Sequence, residues 1–322
     1  MQDEGYFASD EVVYRVMSER RVGLLAGQRA LMIGATNPLN FVGSTRDARG
    51  RREPFNRMRD TGDALETVFY EPRVVVDAML ACVARRHRRV HGVLLEDAGP
   101  YPAGTAWAAD MPKLKLCTIF ALMDSVETWY ELLVGPLGDD GREALWLGLG
   151  RVALLFGIPE RMLPATYREF RRILEREIAS NRLFLTDEAR DFARAMGFQI
   201  PMGRLAELTI RPIHNLLLAG SLPPRIRALY RIRWTTAHQA AFLAIARAIR
   251  AATPLAPARL TKGRCATYFE AVARIERHRL GNGQPTPHLP PLNKRPAPAP
   301  HTTGRHPSGK IEKTGGGWYP KK

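Results

Sequence analysis

Apolar residues in this chain recur at helical rather than strand spacing almost from end to end. Over 73–89 the sequence reads RVVVDAMLACVARRHRR, and Val76, Met79, Leu80, Val83 and His87 share one face at i, i+3, i+4 intervals. The same period predicts helices over 11–34, 54–69, 72–89, 111–134, 141–156 and 164–181. It predicts further helices over 186–196, 203–219, 223–230, 235–252 and 267–279. Pro72, Pro164 and Pro223 stand near first turns, and Gly157 and Gly197 follow last turns. The segment 111–134 is apolar nearly all round, which marks a buried central helix. Alternating runs are scarce, so the one strand expected is short, at 93–95 before a turn at 99–102. No repeat of constant period emerges, which disfavours a solenoid. The fold class expected is all-α: a single multi-helix globular domain over 9–279, with room for a cofactor pocket among its helices.

Beyond Arg279 the pattern stops. GNGQPTPHLPPLNKRPAPAP and the residues after it are rich in proline and glycine and nearly free of apolar anchors. Such a segment buries too little surface to offset the entropy of ordering it, so 280–322 is expected to be a disordered basic tail.

Composition narrows the class. With 322 residues, 45% hydrophobic and 25% charged, the chain can bury a sizeable core and has the make-up of a soluble globular protein. No run of about 18 uncharged apolar residues suggests a transmembrane helix. The acidic start MQDEGYFASDE lacks the apolar region of a secretory signal, and the expected location is cytoplasmic. Cys82, Cys117 and Cys265 lack CxxC pairing, so they suggest neither a disulfide framework nor a zinc site; apolar helical surroundings make each a small core residue. The net charge of +16 raises the question of nucleic acid. Its distribution argues against that partner. Residues 281–322 hold seven Lys or Arg against the single Glu312, and the other arginines are scattered over many helical faces.

Against this background His87 stands out. It ends the apolar stripe of its helix, while Arg85, Arg86, Arg88 and Arg89 fan out around it. A neutral imidazole facing an apolar interior with cations at the rim suits an axial haem ligand, the arginines meeting the propionates. The plainer reading is a core histidine satisfied by one hydrogen bond. His91, one turn further on, is the rival ligand if the helix continues through Gly92. Arg57 and Thr61 lie four residues apart in line with Leu65 and Phe69, placed to face a cofactor cavity or to pair locally along the helix. Asp124 and Ser125 interrupt the central helix. A buried carboxylate there needs a cation, for which Arg57 or another arginine is the candidate, and a structural salt bridge is the leading reading. Asn37-Pro38 follows a helix end rich in small residues and reads as a sharp exit. His214 and His238 read as packing or surface residues.

These positions, in order, resemble a known family. Arg29-Ala-Leu is followed by Asn37-Pro38, Arg57-x3-Thr61 and His87-x2-Val90-x-Gly92. Then come Tyr101-x-Ala103, Pro112, the Asp124-Ser125 helix, Gly157-Ile-Pro159, Leu163-Pro164 and SLPPRIRALYRIRW over 221–234. The chain is similar to the oxygenases that include the MpaB-type enzyme of mycophenolic acid synthesis and, more distantly, the latex-clearing rubber oxygenases. The resemblance implies an all-helical domain around haem b, with dioxygen as co-substrate and an apolar small molecule as substrate. It makes His87 the proximal iron ligand and Arg57 and Thr61 the pair lining the pocket. The chain departs from the pattern at Asp60, where rubber oxygenases carry a lysine, and at Asn37 and Ile119, where many members carry histidine. Rubber cleavage is therefore not carried over, and Asp60 becomes a candidate proton relay. The function expected is that of a haem-dependent oxygenase, an oxidoreductase. The alternatives are a non-catalytic helical binding or scaffold protein and, third, a basic nucleic-acid-associated protein.

Overall fold

The computed structural model describes residues 5–45 and 51–289. Its centre is the helix α6 (Pro112–Leu133), on which Leu116, Phe120, Met123, Val126 and Trp129 are wholly buried. An apolar circumference has no solvent face to offer, so the other helices gather round it. α2 (Arg20–Gly34) packs along it, and α7 (Gly138–Leu155) and α12 (Thr236–Ala252) pack on it elsewhere. α1 (Val12–Met17) lies on α7, and α8 (Tyr167–Ala179) follows beside it. α9 (Asp187–Phe198) and α10 (Arg204–Ser221) pack on α2, and α11 (Pro224–Leu229) packs on α8. On the other flank α4 (Pro54–Tyr70) pairs with α14 (Ala266–Gly281) and leads into α5 (Arg73–Arg88). Two short helices, α3 (Pro38–Thr45) and α13 (Ala258–Thr261), complete the set. The all-α expectation is met.

Local chemistry explains where the elements differ from the periodic reading. The helix expected over 11–34 is two helices, because Glu19 adopts extended backbone and bridges to Lys262 while Ser18 accepts from the Gly263 N–H. Asn37-Pro38 begins a helix instead of making only an exit. The Asn37 Oδ1 accepts from the Leu39 N–H at 3.0 Å, and proline stands in the first turn of α3. α5 stops at Arg88, and the chain turns into a hairpin of β1 (His91–Val93) and β2 (Ala106–Ala108), with Gly92 opposite Trp107. A side chain at Gly92 would meet the Trp107 ring at 3.0 Å, so the absence of a Cβ lets the indole close over the strand. Gly197 lies inside α9 instead of following it. Cys117 and Cys265 are buried as expected, but Cys82 is exposed because it falls on the solvent side of α5.

The folded body extends further along the chain than composition suggests. α14 runs to Gly281, and Leu289, which is 7% exposed, joins the main core while its N–H donates to the Arg51 carbonyl at 2.8 Å. The rest of the expected tail, 290–322, lies outside the described residues. No described helix is long and apolar enough to cross a membrane.

Candidate functional site

His87 sits one residue before the end of α5. The stripe that predicted it holds: Val76 is buried and Met79, Leu80, Val83 and His87 are half-buried, while Val74, Val75 and the neighbouring arginines face outward. Burial pushes the imidazole below its ordinary value, and Lys115, Arg57 and Arg86 push it further down against a smaller opposing effect of Asp110. The ring is therefore neutral at neutral pH. Neither ring nitrogen has a protein hydrogen-bond partner among the described residues, and both remain accessible to solvent. His91 is placed differently. It is exposed at the start of β1, and the helical continuation that would have aligned it with His87 ends before it.

The structure brings Arg57 into the electrostatic surroundings of His87. Thr61 is exposed on the next turn of α4, its hydroxyl donating to the Arg57 carbonyl at 3.1 Å. Asp60 accepts from Arg59 at 2.6 Å, and Arg59 also donates to Glu270 on α14 at 2.8 Å. α4 is held at its N-terminus by a distant carboxylate. The wholly buried Glu276 accepts from the backbone N–H of Phe55 and of Asn56 and from the Asn56 amide, at 3.1, 2.8 and 2.7 Å. This is an N-cap supplied from α14, and it fixes the first turn of the helix that carries Arg57, Asp60 and Thr61.

The donors around His87 fit a haem. A neutral imidazole without a protein partner is the form that ligates iron, and Arg57, Arg86 and Lys115 put positive charge near it that would suit an anionic cofactor. Ile119 is a buried core residue of α6. Among the described residues no group of three His, Cys, Asp or Glu is arranged to hold a metal ion.

A second constellation surrounds Asp124, and here the expected partner needs correction. Arg57 does not pair with it. Arg29 from α2 does, at 2.7 Å, and Arg171 from α8 does, at 2.5 Å. Arg29 also donates to the Ser125 hydroxyl and the Ser221 carbonyl, each at 3.0 Å. Burial alone would push the Asp124 carboxyl up, but the two guanidiniums outweigh it and hold it below its ordinary value. Glu127, one turn on, accepts from the Tyr167 hydroxyl and lies 3.3 Å from Arg142. Arg29, Asp124, Glu127, Arg142, Tyr167 and Arg171 line a cleft of about 940 Å³ to which residues 220–225 also contribute. His87, Arg57, Asp60 and Thr61 do not line it, and neither does any other histidine, so it offers no axial ligand. The cleft does unite Arg29, the Asp124 turn and the SLPPRIR segment, three stretches far apart in the chain. Arg171 is invisible in the sequence as a partner: it is one of several arginines on an amphipathic helix, and nothing in its spacing connects it to residue 124.

Comparison with known proteins agrees with this architecture. The family described as "ER-bound oxygenase mpaB/B'/Rubber oxygenase, catalytic domain" matches residues 14–251. The uncharacterized protein Rv2237 of Mycobacterium tuberculosis is 24% identical over 208 residues, covering 65% of this chain and 78% of that protein. The uncharacterized protein Mb2261 of Mycobacterium bovis gives the same figures, 24% over 208 residues. No solved structure is significantly similar.

Proposed function

This chain belongs to the mpaB/rubber-oxygenase catalytic-domain family, and from that premise we propose that it is a haem-dependent oxygenase acting with dioxygen on an apolar small molecule. The observation that carries the proposal is the state of His87: half-buried, neutral, without a hydrogen-bond partner among the described residues, and ringed by cations. Haem b would supply the binding and activation of dioxygen. The chain's own residues would do the rest. His87 would offer a ring nitrogen at the end of α5, and burial keeps the lone pair on that nitrogen free of a proton. Arg57 and Arg86 would pair with the propionates, and the Glu276 cap holds α4 so that Arg57 stays in place. Asp60 is engaged by Arg59, so a role for it as proton relay would require that pair to open.

That engagement favours a second reading, a helical binding protein that keeps the fold without turnover. A spectrum separates the two. Expression with iron and a haem precursor should yield a protein with a Soret band, and apoprotein should take up one haem per chain. A chain that stays colourless under both conditions leaves the binding-protein reading standing.

A further inference from the structure

The cleft beside Asp124 carries a separate assignment. Its lining holds five guanidiniums, those of Arg29, Arg142, Arg171, Arg225 and Arg227, against four carboxylates. The first three are matched: Arg29 and Arg171 by Asp124, and Arg142 by Glu131 at 2.8 Å. Arg225 and Arg227 are not. Arg225 donates to the carbonyls of Ala179 and Ser180 at 2.7 and 2.6 Å and to the Asn181 side chain at 3.3 Å. Arg227 donates through one nitrogen, Nη1, to the carbonyls of Leu222 and Gly220 at 2.6 and 3.1 Å, with a longer contact to Ala219, and lies 5.0 Å from the centre of the Trp234 ring. Neither meets a carboxylate among the described residues.

Capping the last carbonyls of α8 and α10 accounts for part of this arrangement. It leaves Arg227 Nε and Nη2 and Arg225 Nε without a protein partner among the described residues and open to solvent, where a ligand could reach them. It also leaves two half-buried cations that face no carboxylate among the described residues. Burial is the sole influence on Arg227, and it lowers its proton affinity. A planar guanidinium with free N–H groups selects an oxyanion, which it binds through paired hydrogen bonds. Beside these two arginines Ile178, Pro223 and Pro224 give the cleft an apolar wall.

We propose that this cleft binds a small amphiphilic molecule whose carboxylate or phosphate is held by Arg225 and Arg227 and whose apolar body lies on the wall formed by Ile178, Pro223 and Pro224. The site is distinct from His87 and does not rest on the haem reading.

Calorimetric titration of the full chain, with and without added haem, with octanoate, octyl phosphate, inorganic phosphate and octanol tests it. Octanoate or octyl phosphate should bind one per chain, and whichever binds tighter identifies the oxyanion. Octanol and inorganic phosphate alone should bind at least tenfold more weakly. Arg225→Gln and Arg227→Gln should each weaken binding at least tenfold. Because both arginines cap helix ends, each variant is read only if circular dichroism shows it folded. Ala179→Trp, at an exposed residue that lines the cleft and whose carbonyl accepts from Arg225, should block binding while both guanidiniums remain, and it decides the matter if an arginine variant unfolds. Octanol binding as tightly as octanoate, no binding of either amphiphile at millimolar concentration, or unchanged affinity in Arg225→Gln and Ala179→Trp overturns the assignment.

Discussion

Asp124 and Arg57 are two polar side chains with opposite consequences. Asp124 is buried between Arg29 and Arg171, and Arg29 is itself only 2% exposed. Truncating the carboxylate strands a guanidinium in the core, so Asp124→Ala should cost about 3–5 kcal/mol in denaturant unfolding. Arg57 is half-buried and takes no part in that network. Arg57→Ala should therefore cost clearly less stability than Asp124→Ala while weakening haem retention; equal losses would mean that Arg57 is also a structural ion pair. The need of Asp124 for an arginine was legible from one acidic residue in an apolar helix. Which arginine was not, because helices α2 and α8 reach residue 124 only through packing that periodicity does not encode.

His87 also sets a pH dependence. Its folded pKa lies below the ordinary 6.5, so the unfolded chain takes up the proton first as pH falls. Its contribution to stability is complete above 6.5 and is lost as pH drops through the lowered folded value. In the haem-free chain an NMR titration of the imidazole should give a midpoint below 6.5. A midpoint above it would mean that the cations do not face the ring.

At the scale of elements, the helix that carries Arg57 depends on a residue more than 200 positions away, Glu276. Glu276→Ala would leave the Phe55 and Asn56 N–H groups buried without an acceptor and the Asn56 amide with only its longer bond to the Ala273 carbonyl, and should cost about 2–4 kcal/mol. Cleavage in limited proteolysis should then appear first near the start of α4. The close fit of the same two helices makes a second demand: a methyl at Gly62 would fall 2.6 Å from the Phe269 ring. Most helices were readable from their 3.6-residue period, since burial on one face selects that pattern directly. Their ends were less so. The break at Ser18–Glu19 comes from a bridge to residue 262, and α3 from a cap whose signal, asparagine before proline, also marks turns.

On the scale of the whole molecule, the boundary of the folded domain lies beyond Arg279. Leu289 buries its side chain in the main core and bonds Arg51, although the prolines and glycines around it suggested no anchor. One leucine among turn-formers carries no periodic signal. A chain ending at Arg279 should be less stable than one ending at Leu289 by about 2 kcal/mol, roughly the burial of one such side chain. Equal unfolding midpoints for the two truncations would show that 280–289 adds nothing.

The family relation joins these scales: a helical oxygenase domain in which α5 presents a neutral histidine amid cations. The most direct test is the absorbance spectrum of three proteins expressed with iron and haem precursor: wild type, His87→Ala and His91→Ala. The account predicts a Soret band in wild type and in His91→Ala, and none in His87→Ala even though circular dichroism shows its helices intact. A Soret band that survives loss of His87 and vanishes with His91 would contradict it, as would a wild type that takes up no haem.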